Sequence, residues 1–249
     1  MSVTVLGSSS SGNSTLVQCG SAPFLVDCGF PAAYLSNRLA KKSLHIADLK
    51  GILITHTHGD HVNESFVAKA LQHGVPIYCA PDIELHLQAQ YRVMAKASRL
   101  GLLRSVRSDE MMLGEVLIRL FNVPHDSPGG CFGYNLFYGS KKITVVTDLA
   151  QPTLSLIRHC ANSDILVIES NHDVEMLERS RRPIWLKRRI REFGHLSNDQ
   201  CAEALRDIIE HSTRLPAKAM LAHISRQCNR NTIAVQAAER ILRSQGLIQ

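Results

Sequence analysis

The chain has 249 residues, of which 45% are hydrophobic and 20% are charged. This ordinary globular composition excludes a disordered, collagen-like or coiled-coil protein. No apolar run reaches the ~20 residues that span a bilayer, and the first residues lack the basic and apolar regions of a secretory signal. The seven cysteines are scattered and form no C-x-x-C pair. We therefore expect a cytoplasmic protein with reduced thiols and no membrane contact.

The net charge of +6 is concentrated in one part of the chain. Positions 179 to 191 contain seven basic residues and no acidic residue, so the rest of the chain is close to neutral. This basic strip consists of Arg179, Arg181, Arg182, Lys187, Arg188, Arg189 and Arg191. A basic strip on a neutral body predicts an anionic partner such as nucleic acid, although a solvated helix face explains the same charges equally well.

Short apolar or β-branched runs alternate with helical patterns along the whole chain. The predicted strands cover residues 3–6, 15–19, 24–27, 51–55, 76–79, 116–123, 134–138, 142–147, 165–169 and 220–222. The predicted helices cover residues 31–41, 62–72, 82–98, 152–160, 183–193, 198–211 and 232–244. Ser197 and Gln200 form a capping box for the helix at 198–211. Because strands and helices are mixed throughout, we predict a single α/β domain over residues 1–249.

The segment that begins at residue 56 carries the densest set of metal-ligand side chains. A predicted strand ends, and His56, His58, Asp60 and His61 follow within six residues. His56 and His58 are two positions apart, so in an extended loop they point to the same side and can bind one ion. Asp60 and His61 follow the turn at Gly59 and can bind a second ion. Burying four such groups without a metal would be costly, so H-x-H-x-D-H predicts a metal site.

Four more ligand-type residues lie at the ends of predicted hydrophobic strands: His125, Asp148, Glu169 and His223. Strand ends gather at the sheet edges where α/β proteins place their sites, so we expect these residues close to the H-x-H-x-D-H segment. The five histidines and two aspartates suffice for two metal ions if one carboxylate bridges them. Taken singly, His125 or His223 fits a buried structural histidine equally well. Nitrogen and oxygen ligands suit zinc, manganese or iron.

The order of these residues resembles that of the metallo-β-lactamase-fold hydrolases over nearly the whole chain. The resemblance implies a four-layer αββα sandwich with a site for two divalent metal ions at one edge. The ligands that it implies are, for the first ion, His56, His58 and His125, and, for the second ion, Asp60, His61 and His223. Asp148 would bridge the two ions.

Smaller motifs at residues 9–14, 169–173, 194–198 and 222–225 resemble the YycJ/WalJ-like subgroup. That subgroup is related to tRNase Z and is associated with DNA exonuclease activity. The resemblance implies three catalytic residues, namely Asp60, the proton donor His195 and the acid Glu169 that orients it. The chain departs from the subgroup at residues 228–231, where we expect adjacent asparagines.

These features predict phosphodiester hydrolysis of a nucleic acid, and we expect a DNA exonuclease. Two metal ions activate the attacking hydroxide, and His195, placed just before a capped helix that favours phosphate, protonates the leaving oxygen. In the helix at 183–193 we expect Leu186, Ile190 and Phe193 to face the core. The predicted substrate contacts are four residues of the basic strip and two of a hairpin turn: Arg181, Arg182, Lys187, Arg188, Ser11 and Asn13.

Two other functions stay open. One is a small-molecule hydrolase, such as a cyclic phosphodiesterase or a glyoxalase-type thioesterase, with the same metals. The other is a nucleic-acid-binding or regulatory protein that keeps its metals for structure. Only 75 positions separate Asp148 from His223, too few for the inserted domain of RNase J-like enzymes, and the sequence has no Gly/Pro-rich arm for tRNA. The sequence does not decide between DNA and RNA or between a monomer and a homo-oligomer.

Overall fold

The computed structural model describes residues 1–247, and its first sheet contains six strands in the order β1-β2-β3-β4-β5-β6. The strands are β1 (Ser2–Ser9), β2 (Gly12–Cys19), β3 (Ala22–Val26), β4 (Gly51–Leu53), β5 (Ile77–Cys79) and β6 (Leu103–Ser105). Strands β1 to β3 pair antiparallel, whereas β3 to β6 pair in parallel. Strands β3 and β4 therefore end at the same edge.

The second sheet also has six strands, in the order β12-β11-β10-β9-β8-β7. They are β7 (Glu110–Leu113), β8 (Val116–Val123), β9 (Cys131–Tyr138), β10 (Lys141–Val146), β11 (Ile165–Glu169) and β12 (Lys218–Ala222). Strands β7 to β10 pair antiparallel, and β10 to β12 pair in parallel. As a result, β8, β10, β11 and β12 run in one direction and end at one edge.

Helices flank the two sheets. They are α1 (Ala32–Ala40), α2 (Glu64–Gln72), α3 (Pro81–Gln90), α4 (Arg92–Arg99), α5 (Leu154–Cys160), α6 (Val174–Arg179), α7 (Ile184–Arg189), α8 (Asn198–Glu210) and α9 (Asn231–Ser244). Of these, α6 and α7 form a small separate cluster with Cys228. Side chains of β11 alternate between the two faces of its sheet. Val167 packs between the sheets, whereas Leu166 and Ile168 pack against α5 and α8 on the outer face. The predicted four-layer αββα sandwich is confirmed.

The helix predicted at 82–98 is in fact two helices, α3 and α4, which meet at Tyr91. Tyr91 is extended, with φ −122° and ψ 115°. Its hydroxyl donates a hydrogen bond of 2.8 Å to the backbone carbonyl of Thr57, inside the H-x-H-x-D-H segment. This tertiary contact explains the break, because helical periodicity reports only which face of a segment is apolar.

The α-helix predicted at 183–193 is shorter in the structure. Helix α7 ends at Arg189, and a π-helical turn (Ile190–Gly194) follows, in which the His195 N–H donates to the Ile190 carbonyl at 2.8 Å. The wider turn breaks the 3.6-residue period. Ile190 is buried as predicted, but Phe193 is 56% exposed, so the prediction that Phe193 faces the core is wrong.

Three short elements have no clear signature in the sequence: β6, β7 and α6. Strand β6 has only three residues, and β7 is an edge strand of four residues. Helix α6 begins after Asp173, whose side chain accepts a hydrogen bond of 2.8 Å from the Met176 N–H. Elements of three to six residues are too short to establish a period of two or of 3.6.

The seven cysteines are all buried and unpaired. Burial raises the pKa of the Cys28 thiol to about 12, which keeps that thiol protonated and unreactive. Within residues 1–247, the helices are each too short or too polar to cross a membrane.

Candidate metal centre and cleft

Three histidine nitrogen atoms converge where the two sheets meet. His56 and His58 follow β4, and His125 follows β8 of the other sheet. The His58 Nδ1 atom lies 3.1 Å from His56 Nε2 and 3.2 Å from His125 Nε2. Nitrogen ligands bound at ~2.0–2.1 Å to a tetrahedral ion are ~3.3 Å apart, so these atoms have the spacing of a metal site. Burial lowers the pKa of all three imidazoles, so each stays neutral and offers a lone pair.

Asp60, His61 and His223 form a second group beside the first. The Asp60 Oδ2 atom lies 3.6 Å from His61 Nε2 and 3.5 Å from His223 Nε2. Asp148, just after β10, borders both groups. Its Oδ2 atom lies 3.1 Å from His61 Nε2, and its Oδ1 atom lies 3.9 Å from His125 Nε2. The fold therefore brings together all seven side chains that the sequence marks as ligands.

Two buried atoms of this cluster lack a hydrogen-bond partner within residues 1–247: Asp148 Oδ2 and His223 Nε2. A buried polar atom left unpaired costs ~1–3 kcal/mol, and a bound cation would satisfy both atoms. Burial alone disfavours the charged form of His223, but three neighbouring carboxylates outweigh burial and raise its pKa to about 10. The second group thus concentrates negative charge, which a divalent ion compensates. The residues present fit a metal site.

Asp27 positions His61 from behind the cluster, a role that the sequence analysis missed. The Asp27 Oδ2 atom lies 2.7 Å from His61 Nδ1, and Oδ1 accepts a hydrogen bond of 2.9 Å from the Thr55 N–H. This contact turns the other imidazole nitrogen, Nε2, towards the metal position, as in many carboxylate–histidine–metal sites. Asp27 directly follows β3. This position at a strand end was the one feature of the sequence that could have marked Asp27 as part of the site.

Glu169 supports two histidines at once, whereas the sequence analysis assigned it to His195 alone. Its Oε1 atom lies 2.6 Å from His223 Nδ1 and 3.0 Å from His195 Nδ1. Its Oε2 atom accepts backbone hydrogen bonds from Leu149 and Leu196, both at 3.0 Å. Burial opposes ionisation, but the two imidazoles more than offset it and lower the pKa of Glu169 to about 2. With both oxygens occupied, this carboxylate orients its neighbours.

Three residues of the site have left-handed backbone conformations, which non-glycine residues rarely adopt. Asp27, Asp148 and His223 have φ values of 60°, 57° and 53°. Each follows a strand within two residues, and the sharp turn directs its side chain along the shared edge. Such a conformation costs about 1–2 kcal/mol per residue, a strain that the surrounding contacts maintain.

Comparison with known proteins identifies the family. The sequence matches the β-lactamase superfamily domain over residues 23–224. The exodeoxyribonuclease WalJ of Streptococcus pneumoniae serotype 2 (strain D39) is 32% identical over 239 residues, covering 93% of this chain and 84% of that protein. This chain belongs to the metallo-β-lactamase superfamily.

A second relative and a solved structure agree with this assignment. The exodeoxyribonuclease YycJ of Bacillus anthracis is 29% identical over 244 residues, which cover 98% of this chain and 89% of that protein. The crystal structure of Zn²⁺-bound PqqB from Methylobacterium extorquens aligns with a TM-score of 0.73 at 16% identity, covering 97% of this chain and 96% of PqqB. The predicted family and subgroup are confirmed: the protein is a metallo-β-lactamase-superfamily hydrolase, and its histidine–aspartate cluster is a divalent-metal site.

A cleft of about 360 Å³ lies over the metal site of this hydrolase. His195 lines it, with its Nδ1 atom 3.8 Å from Asp148 Oδ1. From the basic strip, Arg182 and Arg189 line the cleft. The Nε atom of Arg182 is buried without a partner within residues 1–247. Of the predicted contacts in the basic strip, Arg181, Lys187 and Arg188 lie outside the cleft lining.

The hairpin between β1 and β2 packs against the ligands, and this placement differs from the predicted substrate contacts. Asn13 is 4% exposed, and its Nδ2 atom lies 3.2 Å from Asp60 Oδ2. Asn13 is therefore buried behind Asp60 and holds its carboxylate in place. From this hairpin Ser10, not Ser11, lines the cleft. Gly29 permits this packing, because a Cβ atom there would lie 1.7 Å from the Asp60 carbonyl oxygen.

The basic strip is less positive than its sequence implies. Four of its seven residues form ion pairs with acidic residues that lie outside positions 179–191. The pairs are Arg179–Glu175, Arg188–Glu192, Arg189–Asp126 and Arg191–Glu178. Exposed pairs of this kind add little stability, ~0.2–1 kcal/mol, but each one reduces the field available to an anionic ligand.

Proposed function

We propose that this hydrolase is an exodeoxyribonuclease that uses two divalent ions of zinc, manganese or iron. The His195–Glu169 pair carries the proposal, because it lies at the same cleft as the metal ligands. A proton donor beside a metal site suits a poor leaving group, such as the alkoxide released from a phosphodiester. The names of two relatives, matched over nearly the whole chain, support DNA as the substrate and an exonucleolytic mode.

The two groups of ligands support two ions. In this proposal His56, His58 and His125 would hold the first ion, and Asp60, His61 and His223 would hold the second. Asp148 would be shared between them, which is supported by the contacts of its two oxygens with one histidine from each group. When bound, the ions polarise the phosphate and lower the pKa of water.

His195 supplies the proton. Its Nδ1 atom is held by Glu169, so Nε2 is the atom that delivers a proton to the leaving oxygen. The ionised Glu169 stabilises the imidazolium until that proton is released. Asp60 also lines the cleft, and as a ligand it keeps the second ion next to the substrate.

The arginines at the cleft bind phosphates in this proposal. Arg182, whose Nε atom has no partner within residues 1–247, lines the cleft and would hold the phosphate next to the scissile bond. Arg189 also lines the cleft but would have to leave its ion pair with Asp126 to bind a phosphate. More distant phosphates would meet the exposed side chains of Arg181 and Arg188 and the partly buried Lys187. From the hairpin, Ser10 takes the place at the cleft that we expected for Ser11.

Metal analysis followed by digestion of end-labelled DNA and RNA, each single- and double-stranded, tests this function. We expect two ions per chain and stepwise shortening of DNA from one end. The Asp148→Ala variant is the control, and it should lose most bound metal and the nuclease activity. Hydrolysis of a thioester or a cyclic nucleotide without DNA cleavage would favour the small-molecule hydrolase instead. Internal cuts would contradict the exonucleolytic mode.

A further inference from the structure

A second depression, which we call the arginine groove, lies beside the metal cleft. It has a volume of about 760 Å³ and shares His223 and Ser225 with the cleft. Its walls come from β1, α1, the end of β12 and the start of α9. Because His223 and Ser225 line both, the groove and the cleft are neighbours on the protein.

The charge of the arginine groove has one sign. Arg38, Arg226 and Arg230 line it, and its lining contains no aspartate or glutamate. All three arginines are exposed. Arg38 donates to the Tyr34 hydroxyl at 3.1 Å, and Arg230 donates to the backbone carbonyl of Asn229 at 2.7 Å, so neither contact neutralises the guanidinium. Unlike most of the basic strip, these three charges have no carboxylate partner within residues 1–247.

The groove offers guanidinium groups but no free aromatic face. Tyr34 is stacked on Phe30 at 4.4 Å between ring centroids, and the Arg38 guanidinium carbon lies 5.1 Å from the centre of the Tyr34 ring. The bases of single-stranded nucleic acids bind mainly by stacking on aromatic rings, whereas their phosphates bind to unpaired arginines. The groove is therefore suited to phosphates and not to bases.

We propose that the arginine groove binds the sugar–phosphate backbone of the DNA strand whose end lies at the metal site. This inference rests on the proposed nuclease function. Unpaired guanidinium groups that neutralise phosphates release the cations condensed on the DNA, which favours the complex at low salt. Because the contacts are with phosphates, binding in the groove is independent of base sequence.

The test compares two triple variants with the same loss of charge. The groove variant is Arg38→Gln, Arg226→Gln and Arg230→Gln. The control is Arg92→Gln, Arg99→Gln and Arg243→Gln, at exposed arginines outside the cleft and the groove. The probe is a fluorescent phosphorothioate oligothymidylate of ~20 nucleotides, which resists cleavage. Its dissociation constant is measured by anisotropy over a range of salt concentrations.

We expect the groove variant to bind about tenfold more weakly or worse, with a salt dependence reduced by ~2 in log–log slope, at ~0.7 per lost phosphate contact. The control should stay within about twofold of the parent protein. Unchanged metal content and thermal midpoint show that each variant is folded. Arg→Lys changes at the three groove positions should restore most of the affinity, because they restore the charge.

Equal affinity and equal salt slope in the groove and control variants would overturn the groove assignment. Lysine variants as weak as the glutamine variants would also overturn it, since charge would then not be the cause. If the parent protein degrades DNA and the groove variant behaves like the control, the inference fails and the proposed function stands. If the parent neither binds the probe nor degrades DNA, both fail.

Discussion

Three carboxylates near the metal site differ in what their oxygens contact. Asp148 has a buried oxygen without a partner, whereas Asp27 and Glu169 have both oxygens occupied by hydrogen-bond donors. A carboxylate with its lone pairs occupied is poorly able to bind a metal, so these contacts distinguish a candidate ligand, Asp148, from two positioning residues. All three residues lie at strand ends, so spacing in the sequence does not distinguish them.

Replacing His195 by alanine should slow DNA hydrolysis by ~10²–10⁴-fold and leave the metals bound. Bis(p-nitrophenyl) phosphate should be affected much less, because nitrophenolate leaves without a proton. The measurements are kcat on both substrates and the metal content of the variant. Equal losses on the two substrates would contradict the acid role, and loss of metal would make His195 a ligand.

The Asp27→Asn variant should bind metal ~10–100-fold more weakly, because His61 loses the carboxylate that fixes its orientation. The affinity can be measured by titrating the metal-free protein with zinc against a competing chelator. Asp109→Asn, at an exposed position, is the control and should titrate like the parent protein. An unchanged affinity in Asp27→Asn would show that the contact with His61 does not support a ligand.

At the scale of secondary-structure elements, a buried lysine joins helix α5 to the second sheet. Lys142 lies on β10, and its Nζ atom donates hydrogen bonds of 2.6 Å and 2.7 Å to the backbone carbonyls of His159 and Ala161. These carbonyls belong to the end of α5, where the helix cannot satisfy them itself. The positive charge also suits the negative end of the helix dipole. Lys142 lies at the start of β10 and Asp148 follows the other end of this strand, so the contact fixes β10 at the end remote from the site.

Replacing Lys142 by methionine should lower the free energy of unfolding by about 1–3 kcal/mol at pH 7, because two buried carbonyls lose their donor. Lys141→Met, which removes an exposed partner of Asp164, is the control and should cost less than ~1 kcal/mol. Urea denaturation of the three proteins gives both values. A loss no larger than that of the control would contradict the role of Lys142.

The effect of Lys142 should also depend on pH. Burial lowers the pKa of Lys142 from its ordinary value of 10.5 to about 8 in the folded protein. Between these values the unfolded chain holds the proton and the folded protein does not, so the parent gains stability as the pH rises. The stability difference between the parent and Lys142→Met should therefore grow from pH 7 to pH 10. A constant difference would contradict the lowered pKa.

At the scale of the whole molecule, the metal site joins the two sheets. His56, His58 and His61 follow a strand of the first sheet, whereas His125, Asp148 and His223 follow strands of the second. Without cations, the buried carboxylates and the unpaired atoms Asp148 Oδ2 and His223 Nε2 oppose the contact between the sheets. Metal binding therefore favours the packed arrangement of the whole fold.

Removing metal with a chelator should lower the thermal midpoint, and adding zinc or manganese should restore it. A ligand at 100 times its Kd stabilises the folded state by ~2.7 kcal/mol if it does not bind the unfolded chain. Scanning calorimetry over a series of metal concentrations measures this shift. Asp148→Ala should show a much smaller dependence, and a midpoint independent of metal in the parent would contradict the coupling.

The sequence by itself was sufficient for an α/β domain and for the ligand-type residues that the structure brings together, and the order of those residues carried the resemblance that implied the family and its four-layer fold. Each of these depends on local signals: a hydrophobic run, its end, and a histidine or aspartate directly after it. Such signals predict the site correctly because the end of a strand determines where the next side chain lies in the fold. For the same reason, strands β8 and β11 have the bounds that their hydrophobic runs predict.

Only the tertiary structure decided the features that depend on residues far apart in the chain. The contact between Tyr91 and Thr57 breaks a helix that looks continuous, and Asp126 neutralises Arg189 from another segment. The arginine groove combines Arg38 of α1 with Arg226 and Arg230 after β12, at opposite ends of the chain. Periodicity extends over only a few turns of one segment, so it carries no information on which distant charges the fold brings together.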